Sequence, residues 1–253
     1  MRIIIGIIGL IWKLHIAVVF FITAIIFYPL IVPFLFSHKT RKYSFKFFVA
    51  WSWAVRIFCF YFVSKKKVSP LPDGSYIIVA NHMSYLDIFL MPSILPRERF
   101  LFLGKSEILK YPLIKTYFKR LNIPVYRDNP VKAGKSLVRA KKEFRKGWSL
   151  VIFPEGGIPD QNNPKMIDFK EGAFQLAKSC RAPIVPVTYT NNHKLFSDPS
   201  NILGPARPGI SDVYIHPFIS KEEVKALSQM ELSQKCFAIV NAPILEQYPH
   251  LKD

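Results

Sequence analysis

His82 and Asp87 stand in the segment Asn-His-Met-Ser-Tyr-Leu-Asp, which directly follows the short apolar run Tyr76–Ala80. A neutral imidazole can take a proton from an alcohol, and a carboxylate on its other nitrogen fixes the tautomer and stabilises the imidazolium. No Ser or Cys stands in the strand-turn-helix glycine setting of a nucleophile that forms a covalent intermediate. The pair therefore predicts direct base catalysis, with His82 as the base, Asp87 orienting it and the acceptor's own hydroxyl as the nucleophile.

Two other interpretations of the same segment stay open. Ser84 could cap a helix and Asp87 could complete a capping box, which would make Asp87 structural and His82 a polar loop residue. His82 could also activate water, which would make the protein a lipid hydrolase.

A second polar segment, Pro154–Gly157, follows the apolar run Ser149–Phe153. In open α/β sheets, ligands bind outside the carboxyl ends of the strands. We therefore expect this segment and the His82 segment to share one cleft.

The elements that must position these residues alternate along the chain, and this predicts an α/β fold with a mixed, largely parallel sheet flanked by helices. The expected strands are 76–80, 99–104, 123–126, 149–153, 183–189 and 212–219. The expected helices are 84–95, 106–120 (kinked by Pro112), 131–146, 171–180, 221–227 and 231–248. We predict that residues 68–253 form this domain.

Residues 1–67 differ from the rest of the chain in composition, and they predict a membrane-anchoring helical hairpin. Two apolar stretches, 16–36 and 45–63, are separated by a basic segment, and the first should bend or end at Pro29 and Pro33. No acidic residue occurs before Asp73, and the whole chain carries a formal charge of +18. Basic residues among strongly apolar ones are typical of membrane binding and not of a nucleic-acid-binding arm. Positive charge on both sides of the second stretch favours insertion into one leaflet (monotopic), with a two-span hairpin as the alternative.

Several blocks, in order, resemble the glycerolipid acyltransferase family, which includes lysophosphatidic acid acyltransferases. The resemblance covers roughly residues 68–218. The blocks are NHMSYLD (81–87), FLGKSEILKYPLIK (102–115), NIPVYRD (122–128), VIFPEGG (151–157), FKEGAFQLA (169–177) and APIVPVTY (182–189).

The resemblance implies a fatty acyl transfer from acyl-CoA or acyl-carrier protein to the free hydroxyl of a lysophospholipid, with 1-acylglycerol 3-phosphate as the expected acceptor and phosphatidic acid as the product. Lys105 would join His82 and Asp87 in catalysis by holding the oxyanion, and Arg127 would contact the acceptor phosphate. The other expected substrate-binding residues are Asn81, Ser84, Glu155, Gly156 and Gly157.

The third block departs from the family pattern. Where the family continues with Thr-Arg-Ser, this chain has Gly157, Ile158 and Pro159, so a second phosphate-binding arginine is missing. Lys165, Lys170 or Arg207 could replace it, or the acceptor could be a lyso-aminolipid or another lysolipid.

We expect no cofactor and no metal site, because the thioester supplies the driving force and no metal-ligand spacing occurs. The expected partners are membrane lipids, the acyl donor and the lysolipid acceptor, with no nucleic acid. The expected location is the cytoplasmic face of the cell inner membrane, where the acyl donors are found. A non-catalytic binder of anionic lipid, drawn by the charge, is the remaining alternative.

Overall fold

A computed structural model describes residues 2–37, 39–159 and 163–252. Its centre is a seven-stranded sheet in the order β1-β7-β6-β2-β5-β3-β4. The strands are β1 Tyr61–Val68, β2 Ile77–Ala80, β3 Phe100–Lys105, β4 Ile123–Val125, β5 Ser149–Ile152, β6 Ile184–Tyr189 and β7 Gly209–Ile215.

The helices in the described part of the chain are α1 Arg2–Ile31, α2 Arg41–Phe58, α3 Leu86–Ile94, α4 Pro112–Leu121, α5 Pro130–Arg145, α6 Gly172–Cys180, α7 Asn192–Leu195, α8 Lys221–Ala226 and α9 Gln229–Gln247. Short 3-10 turns occupy Val32–Phe36, Ser106–Lys110 and Pro249–Leu251. The predicted α/β class is confirmed.

Five strands, β6, β2, β5, β3 and β4, are neighbours and all parallel, whereas β7 pairs antiparallel with β6. Their carboxyl ends therefore meet at one edge of the sheet. The central strand β2 is buried along its whole length, which suits a strand with helices on both faces. This edge is where both polar segments of the sequence begin.

The N-terminal helix is longer than predicted. The first apolar stretch was expected to start at residue 16, but α1 starts at Arg2, and it ends at Ile31, close to Pro29 and Pro33 as expected. The missed part contains Lys13 and His15, whose polarity interrupts the apolar pattern. Lys13 donates a hydrogen bond to the carbonyl of Asn201, and His15 Nε2 lies 2.9 Å from the carbonyl of Phe58, so both side chains have partners elsewhere in the fold.

The prediction of a helix to residue 63 was wrong at its end. Helix α2 stops at Phe58, and residues 61–68 form β1, an edge strand that pairs in parallel with β7. The aromatic and valine residues of 61–63 continued the apolar pattern of the helix, and only pairing with a distant strand determines their conformation. The boundary at residue 67 between an anchor and a catalytic domain stays a prediction.

The predicted kinked helix 106–120 is two elements. A 3-10 turn ends at Lys110, and α4 begins with Pro112 at its first position. Proline lacks the N–H that an internal helical position would need, and its fixed φ suits a helix start.

Candidate functional site

The His82 and Asp87 side chains meet in the turn between β2 and α3. His82 Nδ1 lies 3.0 Å from Asp87 Oδ2, and the same oxygen accepts hydrogen bonds from the backbone N–H groups of Met83 at 2.8 Å and Ser84 at 2.9 Å. Asp87 is completely buried, whereas the His82 side chain remains 11% exposed. The histidine therefore has one nitrogen held by a buried carboxylate and keeps contact with the solvent.

Part of the capping geometry is also present. Leu86 N–H donates to Ser84 Oγ at 3.1 Å, and Asp87 accepts from the backbone of Ser84. The structural role of Asp87 and its contact with the imidazole therefore coexist, because a single carboxylate oxygen makes both.

The second oxygen of Asp87 has a partner that sequence reasoning did not single out. Asn192 Nδ2 donates to Asp87 Oδ1 at 2.8 Å, and both side chains are completely buried. Tyr189 Oη donates to the backbone carbonyl of Asp87 at 3.1 Å. The only sequence signal for Asn192 was its position just after the carboxyl end of a predicted strand, at the same edge of the sheet as His82.

Glu155 supports the histidine turn from the neighbouring strand. Its Oε1 accepts from the backbone N–H of His82 at 2.7 Å, and its Oε2 accepts from that of Ile167 at 3.2 Å. Burial raises the pKa of Glu155 to about 7, against the effect of these two hydrogen bonds, and the Asp87 charge raises the pKa further. Glu155 thus links the His82 turn to the loop that precedes α6.

Asn81 and Ser84 are buried and face the protein. The Asn81 amide makes two hydrogen bonds with the backbone of Tyr189, at 2.9 Å and 2.8 Å. Ser84 Oγ donates to the carbonyl of Phe196 at 2.6 Å. These contacts fasten the β2–α3 turn to β6 and to the chain after it. A direct contact of either residue with substrate stays a prediction.

Three cationic side chains surround the turn after β5. Arg127 donates a hydrogen bond to the carbonyl of Gly156. A β-carbon placed on Gly156 would lie 3.0 Å from Lys170 Nζ and 3.1 Å from Arg127 Nη1, and one on Gly157 would lie 3.2 Å from Lys105 Nζ. The φ of +85° at Gly156 is a conformation that glycine adopts without strain. Glycines at this turn leave room for the cations to approach the backbone.

The three cations are exposed and have no carboxylate partner among the ion pairs of the described residues. Lys105 ends β3 and Arg127 follows β4, so the sheet brings both to the edge that carries His82. Lys170, one of the three proposed replacements for the missing arginine, lies beside Gly156. The arrangement suits an anion bound at the edge of the sheet that carries His82. In the described part of the chain, no group of three or more His, Cys, Asp or Glu side chains could hold a metal ion.

Comparison with known proteins extends this picture. Residues 61–190 match the family model described as Acyltransferase. The chain is 30% identical over 204 residues to the chloroplastic 1-acyl-sn-glycerol-3-phosphate acyltransferase BAT2 of Brassica napus, a match covering 79% of this chain and 56% of the relative. It is 34% identical over 154 residues to the 1-acyl-sn-glycerol-3-phosphate acyltransferase of Saccharomyces cerevisiae, covering 55% of this chain and 49% of that one. The chain thus spans about half the length of these curated relatives.

One solved structure is similar over nearly the whole chain. The crystal structure of the 1-acyl-sn-glycerophosphate (LPA) acyltransferase PlsC from Thermotoga maritima superposes with a TM-score of 0.73 at 25% sequence identity, covering 98% of each chain. Because the family model matches more than half of the chain and the fold agrees along its length, this chain belongs to the acyltransferase family.

Proposed function

We propose that this protein transfers a fatty acyl chain from acyl-CoA or acyl-carrier protein to the free hydroxyl of a lysophospholipid, with 1-acylglycerol 3-phosphate as the acceptor. The observation that carries the proposal is the partly exposed His82 imidazole held at Nδ1 by the buried carboxylate of Asp87. The names of the relatives support the same reaction and acceptor.

In this mechanism, Asp87 accepts a hydrogen bond from the Nδ1–H of His82, so Nε2 carries no proton and can act as the base. Nε2 removes the proton of the acceptor hydroxyl while the oxygen attacks the thioester carbonyl carbon. The tetrahedral intermediate then collapses with cleavage of the carbon–sulfur bond, and the imidazolium returns its proton to the departing thiolate. Positioned base catalysis of this kind contributes about 10²- to 10⁴-fold.

The surroundings of Ser84 favour direct transfer without an acyl-enzyme. Ser84 is the hydroxyl residue nearest to His82 in sequence, but its Oγ is buried and donates to the carbonyl of Phe196. It therefore lacks the hydrogen bond to the imidazole that a nucleophilic serine needs.

The cations around Gly156 support an acceptor that carries phosphate. In this proposal Lys105, beside Gly157, stabilises the oxyanion of the tetrahedral intermediate, and Arg127 and Lys170, beside Gly156, bind the phosphate. Lys170 would then take the place of the arginine that is missing after Gly156. Because a lysine ammonium is a compact charge without the planar fork of arginine, the phosphate would be held with less directional preference.

A transfer assay tests the proposal. Full-length protein in membranes is incubated with labelled acyl-CoA or acyl-carrier protein and a panel of lysolipids. We expect His82→Ala to lower product formation by about 10² or more, and the matched control His250→Ala, at an exposed histidine near the C-terminus, to leave it unchanged. Lys170→Ala should raise the KM for lysophosphatidic acid and leave that for a lyso-aminolipid unaffected. Release of free fatty acid without acceptor would instead indicate a hydrolase.

We further propose that α1 lies in one leaflet on the cytoplasmic face of the inner membrane. Among the described residues, one segment, Ile4–Phe36, is long and apolar enough to cross a bilayer by length and composition. One face of α1 nevertheless contacts the rest of the protein along its length. Gly9 lies close to the backbone of Gly204, Phe20 packs on Phe89 with ring centroids 5.0 Å apart, and Tyr117 Oη donates to the Ala24 carbonyl at 3.1 Å.

These contacts weigh against a spanning helix. The contacts extend to Tyr28, whose ring centroid lies 5.3 Å from that of Tyr117. From residue 9 to residue 28, α1 rises about 30 Å, which equals the thickness of a hydrocarbon core. If this length crossed the bilayer, the loop at Gly204 and the parts of α3 and α4 packed against it would enter the lipid, and a loop there would leave backbone groups without partners, which is costly. The opposite face of α1 is exposed and apolar, and it suits a helix lying in the interface; its residues include Ile7, Ile11, Val18, Ile22 and Ile25.

Vesicle flotation tests this orientation. Deleting residues 1–63 would also remove α2 and the start of β1, so paired substitutions are preferable. We expect Ile11→Asp with Ile22→Asp to abolish flotation with phosphatidylglycerol-containing vesicles. The control Val131→Asp with Val138→Asp, at exposed valines of α5, should still float. Cysteines introduced at Ile4 and Phe36 should react with an impermeant maleimide from the same side, and labelling from opposite sides would refute the one-leaflet arrangement.

A further inference from the structure

Asn192 contacts the proposed catalytic pair, and the mechanism proposed above does not use it. It starts the short helix α7, directly after the carboxyl end of β6, and is separated from Asp87 by 105 positions. Its Nδ2 donates to Asp87 Oδ1 at 2.8 Å, the carboxylate oxygen that does not face the imidazole. Among the described residues, Asn192 is the one whose side chain donates a hydrogen bond to Asp87 Oδ1.

Packing alone does not account for an asparagine at this position. The side chain is completely buried, and its Oδ1 has no hydrogen-bond partner among the described residues. A buried amide oxygen without a partner costs about 1 to 3 kcal/mol, which an apolar residue of the same size would avoid. The hydrogen bond to Asp87 is the interaction that sets asparagine apart from leucine here.

We infer that Asn192 is a positioning residue of the proposed acyl transfer, which holds the Asp87 carboxylate so that Oδ2 faces His82 and disperses part of its negative charge. The inference rests on the proposed function. Without the amide, Asp87 would keep its three contacts at Oδ2, but Oδ1 would be unpaired and the carboxylate could rotate. More of its charge would also act on the imidazole, which would favour the protonated form of His82 and leave less free base near neutral pH.

Other titratable groups near His82 could also change charge over a pH series. In the described part of the chain they include Asp87 on α3, Glu155 after β5, which accepts from the His82 backbone, and His193 on α7, whose Nδ1 lies 3.4 Å from Met83 Sδ. Tyr189 on β6 donates to the Asp87 carbonyl, and burial raises its pKa well above the ordinary value, so it stays neutral. Burial lowers the pKa of His193 to about 4, so it is neutral near pH 7. Burial raises the pKa of Glu155 to about 7, so Asn192 variants must be compared with the wild type over the same pH series.

The test compares Asn192→Leu with the matched control Asn191→Leu in the full-length protein. Asn191 makes side-chain hydrogen bonds with the backbone of Ile210 and Asp212, both at 2.9 Å, from the same turn but without touching Asp87. We expect Asn192→Leu to lower kcat about 10- to 100-fold, since a hydrogen bond to a charged group is lost. The KM should stay near the wild-type value, and the acid limb of the kcat/KM profile should move to higher pH. Asn191→Leu should show neither the loss of kcat nor the shift.

A second variant and a direct titration keep the inference falsifiable if Asn192→Leu folds poorly. Two buried carboxyl groups in hydrogen-bond contact share a proton, so the carboxyl introduced by Asn192→Asp can donate to Asp87 as the amide does. The ratio of the kcat of Asn192→Asp to that of Asn192→Leu should therefore fall as the pH rises, because the shared proton is lost. In histidine-labelled protein, with the His82 resonance assigned by His82→Gln, the His82 pKa should rise in Asn192→Leu.

The outcomes separate the two proposals. If the wild type transfers acyl chains in a His82-dependent way but Asn192→Leu keeps the wild-type kcat and acid limb, the inference is wrong and the proposed function stands. Equal losses in Asn191→Leu and Asn192→Leu without a pH shift would also overturn it, because they would indicate a structural role alone. If the wild type transfers nothing to any lysolipid while the His82 pKa still responds to Asn192→Leu, the proposed function fails and the link between Asn192 and His82 remains.

Discussion

Replacing Asp87 with asparagine removes the charge next to His82 and can keep the hydrogen bonds around it. The amide oxygen of the new side chain can take the place of Oδ2 and accept from His82 Nδ1 and from the backbone of Met83 and Ser84. The new NH₂ group would then face Asn192. The Asn192 amide can turn over to meet it, because its Oδ1 has no other partner among the described residues. We therefore expect Asp87→Asn to fold.

The size of the effect on catalysis follows from the position of the charge. His82 Nδ1 lies 3.0 Å from Asp87 Oδ2, and the centre of the imidazolium charge is about 4 Å from the carboxylate. At an effective dielectric constant of about 20, a charge pair at this distance is worth about 4 kcal/mol. In the proposed mechanism the imidazolium forms only as the hydroxyl loses its proton, so this energy is lost in the transition state, and kcat should fall about 10³-fold.

The assay compares initial rates of labelled acyl transfer to lysophosphatidic acid at saturating concentrations of both substrates. Asp73→Asn, at an exposed aspartate near the opposite edge of the sheet, is the matched control and should behave as the wild type. Thermal unfolding verifies that Asp87→Asn is folded. A folded Asp87→Asn protein with kcat within about tenfold of the wild type would refute the reasoning, because a factor of ten corresponds to only about 1.4 kcal/mol.

Three further changes test other parts of the site and its support. The pKa of Glu155 is about 7 in the folded protein and 4.5 in the unfolded chain, so the folded state binds more protons between these pH values. The free energy of unfolding should therefore fall by up to about 3 kcal/mol as the pH rises from 4.5 through 7. Glu155→Gln should flatten that pH dependence in thermal melts. At Gly156 the φ of +85° strains any residue with a β-carbon, so Gly156→Ala should lower the free energy of unfolding by about 1 kcal/mol. The new β-carbon would also lie 3.0 Å from Lys170 Nζ and displace it, so the KM for a phosphate-bearing acceptor should rise in steady-state assays. Arg41 pairs with Glu143 in a buried contact between α2 and α5, and Glu143 also pairs with Lys146. Among the described residues, Arg41→Met leaves Glu143 paired with the lysine alone, so it should cost about 1 to 3 kcal/mol in denaturant unfolding, and Arg41→Met with Glu143→Leu should recover most of it. Equal losses in the single and double variants would contradict this.

The parts of the fold that sequence predicted are those specified by local pattern. Short apolar runs between turn residues gave six of the strands, and the apolar periodicity of the segment after Arg127 gave α5. The contact between His82 and Asp87, the proposed catalytic pair, could also be predicted, because the two residues are five positions apart and the start of α3 brings them together.

The parts that were missed depend on contacts between distant residues. Residues 61–63 continue an apolar helix pattern, and their strand conformation comes from pairing with β7. Asn192 is a polar residue without a local pattern, and its role depends on β6 lying beside β2. The missing arginine after Gly156 was visible in sequence, whereas the choice among three candidate lysines and arginines required knowledge of which one reaches that turn.

The order of the parallel strands also bears on which acceptor fits. His82 follows β2, and the glycine turn with its cations follows β5. Because these two strands are direct neighbours, the proposed base and the proposed phosphate-binding residues lie at the ends of strands only about 4.8 Å apart. In 1-acylglycerol 3-phosphate, the free hydroxyl and the phosphate ester are on adjacent carbons, which suits such a short separation. Lysolipids that keep this spacing but carry a substituent on the phosphate lose one of its negative charges, and they should react with a higher KM. A lyso-aminolipid has no anion at this distance from its hydroxyl, so a preference for it over lysophosphatidic acid would mean that Arg127 and Lys170 do not bind the acceptor.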